Sequence, residues 1–221
     1  MSKSWSKSMV LCHRGIWSSI LEQNSQNSFK LAALQGMGIE LDIRDYRAEL
    51  VVSHNVPLGN EPKLAEVLAE LVELNYKGYL ALNVKSDGLL DLIQKIKNLD
   101  QIQHFFFDMA APEAVQYRSR GLACATRLSE IEEPRESSKV EAEAGIYWMD
   151  SFFGDWWLNI EWDDFFPKGA RVFVVSPELH GRDHNPAWEK VLTWIQEGKD
   201  VGVCTDYPKE FLERMAQIND N

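Results

Sequence analysis

Short apolar runs that end on a charged or polar residue, each followed by a stretch with helical spacing, recur along this chain and constrain its fold more than any other feature. The runs are Met9–Cys12, Gly38–Ile43, Tyr79–Val84, His104–Asp108, Leu122–Arg127, Gly145–Met149, Arg171–Val175 and Val201–Thr205. Each has the length and apolar content of a largely buried strand. Strands buried on both faces must be covered by helices, so this alternation predicts an α/β protein built on parallel strands.

Helix signals fill the intervals. Ser25 or Asn24 can cap a helix over Phe29–Leu34, and Lys63–Leu74 carries Leu64, Val67, Leu68, Leu71 and Leu74 at helical spacing, which Leu89–Leu99 repeats. Asn185-Pro186 opens a helix that Gly198 ends, with Val191, Leu192 and Ile195 on its buried side, and Asp206 before Pro208 starts the last helix, Phe211–Ile218. Eight strands in βα alternation within 221 residues favour a single (β/α)8 TIM barrel over a doubly wound sheet. No stretch of Gly, Ser or Pro is long enough for a linker and no repeat is evident, so residues 1–221 read as one domain. The most charged segment, Glu130 to Glu143, reads as a polar loop and helix.

A chain that is 45% hydrophobic and 26% charged is an ordinary soluble globular protein by composition. Its formal charge of −11 argues against nucleic acid as a partner, because a phosphate backbone needs a basic face. Met1 to Ser8 hold two lysines but no apolar segment, and no run approaches bilayer length, so neither a secretion signal nor stable membrane insertion is expected. Cys12, Cys124 and Cys204 are odd in number and lie inside apolar runs; they read as buried, reduced thiols, which suits a cytoplasmic protein. No oligomeric state follows from the sequence.

The ends of the strands carry the chemistry. His13, Asp42, Lys85, Asp108, Arg127, Asp150, Glu178 and Asp206 all fall at or just past a strand's carboxyl end, where (β/α)8 folds place catalytic groups. Glu40 to Arg44 and Glu49 to His54 read as two β segments of a hairpin extending the second strand, and a tight turn near Arg47 would set Glu40 opposite His54. Glu40 and Asp42 alternate with Ile39, Leu41 and Ile43, so both carboxylates face one side and repel unless a cation joins them. Two imidazoles, the Arg14 guanidinium and two carboxylates would then converge, as metal-assisted phosphodiester chemistry requires.

His13-Arg14-Gly15, Gln23-Asn24-Ser25 with Ser28-Phe29, Glu40-x-Asp42, Val51-Val52-Ser53-His54 and Thr205-Asp206-Tyr207-Pro208 together resemble, in order and over nearly the whole chain, the successive signatures of glycerophosphodiester phosphodiesterases. The resemblance implies a phosphoric diester hydrolase with His13 and His54 as the acid–base pair; which is acid and which base stays open. It implies Arg14 and Lys85 as phosphate-binding groups, Lys85 counting also among the catalytic residues, and Mg²⁺ or Ca²⁺ held by Glu40 and Asp42. The substrate implied is a small phosphodiester.

The chain departs from the family at three positions. Asn83-Val84-Lys85 stands where Glu-x-Lys is common, His54-Asn55 where His-Asp is common, and Gln23 where Glu often stands. Asn83 is therefore expected to be a neutral metal ligand, with Asp108 as the compensating acid. Asp150, Glu178, His180 and Arg182 are read either as shaping the alcohol side or as ordinary loop polarity. Thr205-Asp206-Tyr207-Pro208 is read as a helix start. The aromatics from Trp148 to Phe166 are expected to pack a loop rather than form a lid. A cyclising phospholipase C-like activity and a non-catalytic sugar-phosphate-binding barrel are the rival functions.

Overall fold

The computed structural model describes residues 5–132 and 145–219. Its strands are β1 (Val10–His13), β2 (Gly38–Tyr46), β3 (Glu49–Val52), β4 (Leu80–Val84), β5 (His104–Phe107), β6 (Thr126–Leu128), β7 (Ile146–Met149), β8 (Arg171–Val175) and β9 (Val201–Thr205). Among the described residues the α-helices are α1 (Gln26–Leu34), α2 (Leu64–Glu73), α3 (Leu90–Ile93), α4 (Ala111–Ser119), α5 (Trp162–Phe165), α6 (Asn185–Gln196) and α7 (Pro208–Asn219). Eight strands in βα alternation, with β3 added to β2, give the (β/α)8 class expected from the sequence. Residues 133–143 of the charged segment lie outside the described residues.

Two compact units make up the chain, one of residues 11–124 and one in which residues 5–10 join those from 125 onward. In the first, β5, β4, β2 and β1 lie side by side and parallel. Ile39, Leu41, Ile43, Leu80, Leu82 and Phe106 are wholly buried. Their neighbours in sequence point to the opposite face, as alternation along a strand demands. Helix α2 buries Leu64, Val67, Leu68 and Leu71, the stripe its spacing predicts, and α1 buries Phe29 and Ala32.

In the other unit β9, β8, β7 and β6 are likewise parallel. The aromatic-rich segment packs into this unit's core: Trp157 lies 5.7 Å from Trp194 between ring centroids, and Trp162 lies 4.7 Å from Phe166. All three cysteines are buried thiols that form no disulfide.

Three sequence expectations shift. The helix expected over Leu89–Leu99 stops at Ile93, because Lys95 and Ile96 tighten into bonds three residues back and Asn98 turns left-handed at φ 70°. The strand expected over Leu122–Arg127 becomes Thr126–Leu128, and Cys124 keeps a single bridge to Phe106 within the 11–124 unit. The hairpin slips by one residue. Ile43 pairs with Val52 and Tyr46 with Glu49, leaving Arg47 and Ala48 as a two-residue turn, both at positive φ. This register, extended, sets Asn55 rather than His54 opposite Glu40.

Gly202 on β9 tests the tightness of this packing. A Cβ there would collide with the Met9 carbonyl oxygen and sit 2.8 Å from Phe173 ring carbons. A main-chain oxygen has no room to yield, so Gly202→Ala should lower unfolding stability by roughly 3 kcal/mol, the upper end of overpacking costs. Urea denaturation checks it, and a loss near zero would show that the main chain at Met9 yields easily.

Candidate active site

Parallel register stacks the sequence-predicted residues in layers at the carboxyl ends of the first unit's strands. His13 on β1 is level with Glu40 on β2 and Ala81 on β4, and Asp42 is level with Asn83. Lys85 follows β4, its N–H donating to the Ile43 carbonyl at 3.0 Å. Residues level in a parallel sheet face the same side, so His13, Glu40, Asp42 and Asn83 point one way.

Asp42 is the hub. It is 1% exposed, and a carboxylate so buried needs partners for every oxygen. Oδ2 lies 3.1 Å from Arg14 Nε and accepts from Asn24 Nδ2 at 2.8 Å, while Oδ1 lies 3.3 Å from Lys85 Nζ. The Arg14 contact is an ion pair whose N–H is not aligned as a hydrogen bond. The Asp42 carbonyl accepts the Ser53 N–H at 3.0 Å, which ties the end of the hairpin to the same residue.

Arg14 is held equally firmly. Its backbone is left-handed at φ 57°, a conformation that costs a non-glycine residue free energy unless its surroundings impose it. Here they do: its N–H donates to Glu40 Oε2 at 3.1 Å, and its carbonyl accepts from the Asn24 N–H and the Ser28 hydroxyl. Nη1 reaches Gln23 Oε1 at 3.0 Å. Gly15 follows at φ 86°, where an added Cβ would lie 2.7 Å from the Ser28 backbone, so the third position of the His-Arg-Gly triplet needs glycine.

Glu40 is also buried, and its carboxyl is pushed up to about 7, first by loss of solvent and then by the neighbouring charge of Asp42; His13, Lys85 and Arg14 pull the other way.

The remaining predicted residues are placed differently. His54 is exposed, with Nδ1 3.0 Å from Asn55 Oδ1, and its carbonyl accepts from Arg44 Nε. Asp108 follows β5 at φ 64° and is partly buried. Among the described residues no group of three or more His, Cys, Asp or Glu side chains that could hold a metal is found. Asn24, which the sequence offered only as a possible cap, is a site residue; Ser25 caps α1 by accepting the Ser28 N–H. The Gln23-Asn24-Ser25 triplet was the signal that could have found it.

The donors present fit a hard cation. Asn83 Oδ1 is buried, level with Asp42, and has no hydrogen-bond partner among the described residues. With the Glu40 and Asp42 carboxylates it makes a three-oxygen set of the kind that suits Mg²⁺ or Ca²⁺.

The later strands of the second unit carry their own polar groups. His180 Nε2 lies 2.8 Å from Asp150 Oδ1, a bond that raises the imidazole above its usual range. Arg182 clamps Asp155 at 2.6 Å and the Ser151 carbonyl. Glu178 gathers the Ser176 and Thr205 hydroxyls and the Asp206 N–H. These bonds hold loops together within that unit.

The Glu40 shift has a consequence for stability. Its carboxyl holds a proton more tightly in the folded protein than the ordinary value of 4.5 allows in the unfolded chain, so between 4.5 and about 7 the folded state binds more protons. Stability from this group is present at low pH and declines as pH rises through that window. Glu40→Gln stays neutral and keeps an acceptor for the Arg14 N–H. In urea unfolding with chelator present, the variant should lack this decline and exceed the wild type above neutrality, by up to roughly 3 kcal/mol. Parallel pH profiles for the two proteins would overturn the assignment.

No protein-family model and no curated protein matches this sequence. Solved structures do. A protein of Galdieria sulphuraria provisionally named a glycerophosphodiester phosphodiesterase aligns with a TM-score of 0.65 at 16% identity, over 94% of this chain and 97% of its own. A phosphodiesterase of Oleispira antarctica, solved with its product sn-glycerol-3-phosphate, aligns with a TM-score of 0.62 at 16% identity, over 96% of both chains. The chain thus shares the fold of proteins bearing the family name that its motifs resemble.

Proposed function

We propose that this protein is a phosphodiesterase that hydrolyses a glycerophosphodiester-like substrate to a phosphomonoester and an alcohol. The observation that carries the reading is the gathering of Arg14 and Lys85 on buried Asp42, one strand level from His13 and Glu40, in a fold shared with such enzymes. An arriving phosphodiester presents the same anionic oxygens as Asp42, so both cations can turn to it without leaving the site.

In this mechanism one of His13 and His54 takes the proton of the attacking hydroxyl as its oxygen bonds to phosphorus. The other gives a proton to the departing alkoxide as the second P–O bond breaks. Arg14 and Lys85 balance the charge that collects on the phosphoryl oxygens. A vicinal glycerol hydroxyl as nucleophile gives a cyclic phosphate that water then opens. A divalent cation, Mg²⁺ or Ca²⁺, held by Glu40, Asp42 and the Asn83 carbonyl oxygen, would add positive charge at those oxygens. Three buried thiols outside any disulfide suit a reducing, cytoplasmic setting. Among the described residues no helix is long and apolar enough to cross a membrane.

Product analysis with a panel of glycerophosphodiesters, with and without chelator, tests the reading. His13→Ala and His54→Ala should each lower turnover by at least about a hundredfold. Near wild-type turnover in either variant would remove that histidine from the reaction, and a cyclic phosphate as the final product would favour the phospholipase C-like alternative. For the cation, Asn83→Glu adds an anionic oxygen beside Asp42 and should lower the Mg²⁺ dissociation constant by about tenfold in calorimetry. Weaker binding would mean that like charges crowd there instead.

A further inference from the structure

Arg44 stands on the same face of β2 as Glu40 and Asp42, because side chains two residues apart along a strand point one way. It lies roughly 7 Å beyond Asp42 along the strand. There β2 leaves the core: residues 38–43 are buried, and Arg44 is partly exposed. Its Nε donates to the His54 carbonyl at 3.1 Å, which pins the chain at that histidine to the strand.

No carboxylate answers this guanidinium. The acids of the hairpin are committed elsewhere: Asp42 to Arg14 and Lys85, Glu49 to Lys63, and Asp45, on the opposite face, to the Ser86 hydroxyl. Among the described residues the two Nη groups of Arg44 have no partner, and its Nε is spent on a neutral carbonyl. In a chain of net charge −11, a cation without a carboxylate beside such a site stands out. With Nε taken, the edge left open is the pair of Nη groups, whose parallel N–H bonds match the two oxygens of one carboxylate. One guanidinium balances one negative charge, so a carboxylate suits it better than a second phosphate, which carries up to about two at neutral pH.

We infer that Arg44 is a specificity-determining residue, and that the alcohol released from the phosphodiester carries a carboxylate which the Nη edge of Arg44 holds. The inference rests on the phosphodiesterase reading and names the class of alcohol that reading leaves open. Arg14 and Lys85, gathered on Asp42, receive the phosphoryl oxygens, and Arg44 stands one strand repeat beyond Asp42 on the same face. The two ends of one substrate are thereby held at two heights of one strand. An alcohol without an anionic group would leave the Nη edge to water and gain nothing from it.

Glycerophosphoserine and glycerophosphoethanolamine differ by a single carboxylate, so the ratio of their kcat/KM values reads the contact directly. At saturating Mg²⁺ the wild type should favour the serine diester by at least about tenfold, the lower end for hydrogen bonds to a charged group. Arg44→Gln keeps an N–H for the His54 carbonyl but removes the charge, and should bring the ratio to near unity. Arg44→Lys keeps the charge without the fork and should retain part of the preference, which guards against a folding defect in the first variant. A role confined to holding His54 would lower both substrates alike and leave the ratio unchanged. Calorimetry with O-phosphoserine and O-phosphoethanolamine repeats the comparison without turnover: the wild type should bind the first at least about tenfold tighter, and Arg44→Gln should bind the two equally. Equal hydrolysis of both diesters by the wild type, or a preference that survives Arg44→Gln, would overturn the inference and leave the phosphodiesterase reading in place. If neither diester is cleaved, that reading falls; a calorimetric preference lost in Arg44→Gln would then keep Arg44 as a carboxylate-binding residue, and equal or absent binding would overturn that as well.

Discussion

A carboxylate removed from water needs charge and hydrogen bonds around it, and the site described here is organised by that demand at Asp42. Its two oxygens and its carbonyl draw in Arg14 and Asn24 from the segment after β1, Lys85 from the end of β4, and Ser53 from the end of the hairpin. Removing any one partner would leave a buried charge short of compensation, which is more costly than the pairing is stabilising. The carboxylate thus fixes the mutual positions of groups that are far apart in sequence.

The same arrangement is the one the proposed reaction would need to receive an anion. Arg14 is locked by its backbone, through Glu40 on one side and Asn24 with Ser28 on the other, so its guanidinium keeps its place when its partner changes. Glu40, level with His13, sits where burial and Asp42 make its negative charge expensive, and a proton or a cation relieves that cost. A phosphoryl group entering beside Asp42 would meet two partly buried cations already oriented, which is a condition for strong electrostatic stabilisation.

Two of the three departures from the family pattern, Gln23 and Asn83, fall within this network and alter its charge rather than its shape. Gln23 accepts from Arg14 Nη1 as a neutral group, so no carboxylate at that position offsets the field of the guanidinium. Asn83 keeps an oxygen level with Asp42 but brings no charge. Both substitutions make the surroundings of Arg14 and Lys85 less negative.

Much of this was legible in one dimension. Strands and helices follow from residue periodicity, a local property, so seven of the eight expected parallel strands and the stripe of α2 appear close to where the pattern puts them. That Glu40 and Asp42 share a face follows from the same alternation. Other features depend on partners that periodicity does not name. The hairpin register turned on whether Ala48 accepts a left-handed conformation beside Arg47, and one residue moved Asn55 into the position expected for His54. Asn24 and Ser25 were equal candidates for the cap until buried Asp42 claimed the amide of one and left the other to the helix. The sequence by itself determined which segments are strands and which residues face together, because local sterics and burial decide those. Only the tertiary structure decided which polar groups meet, because burying a charge selects its partners from the whole fold.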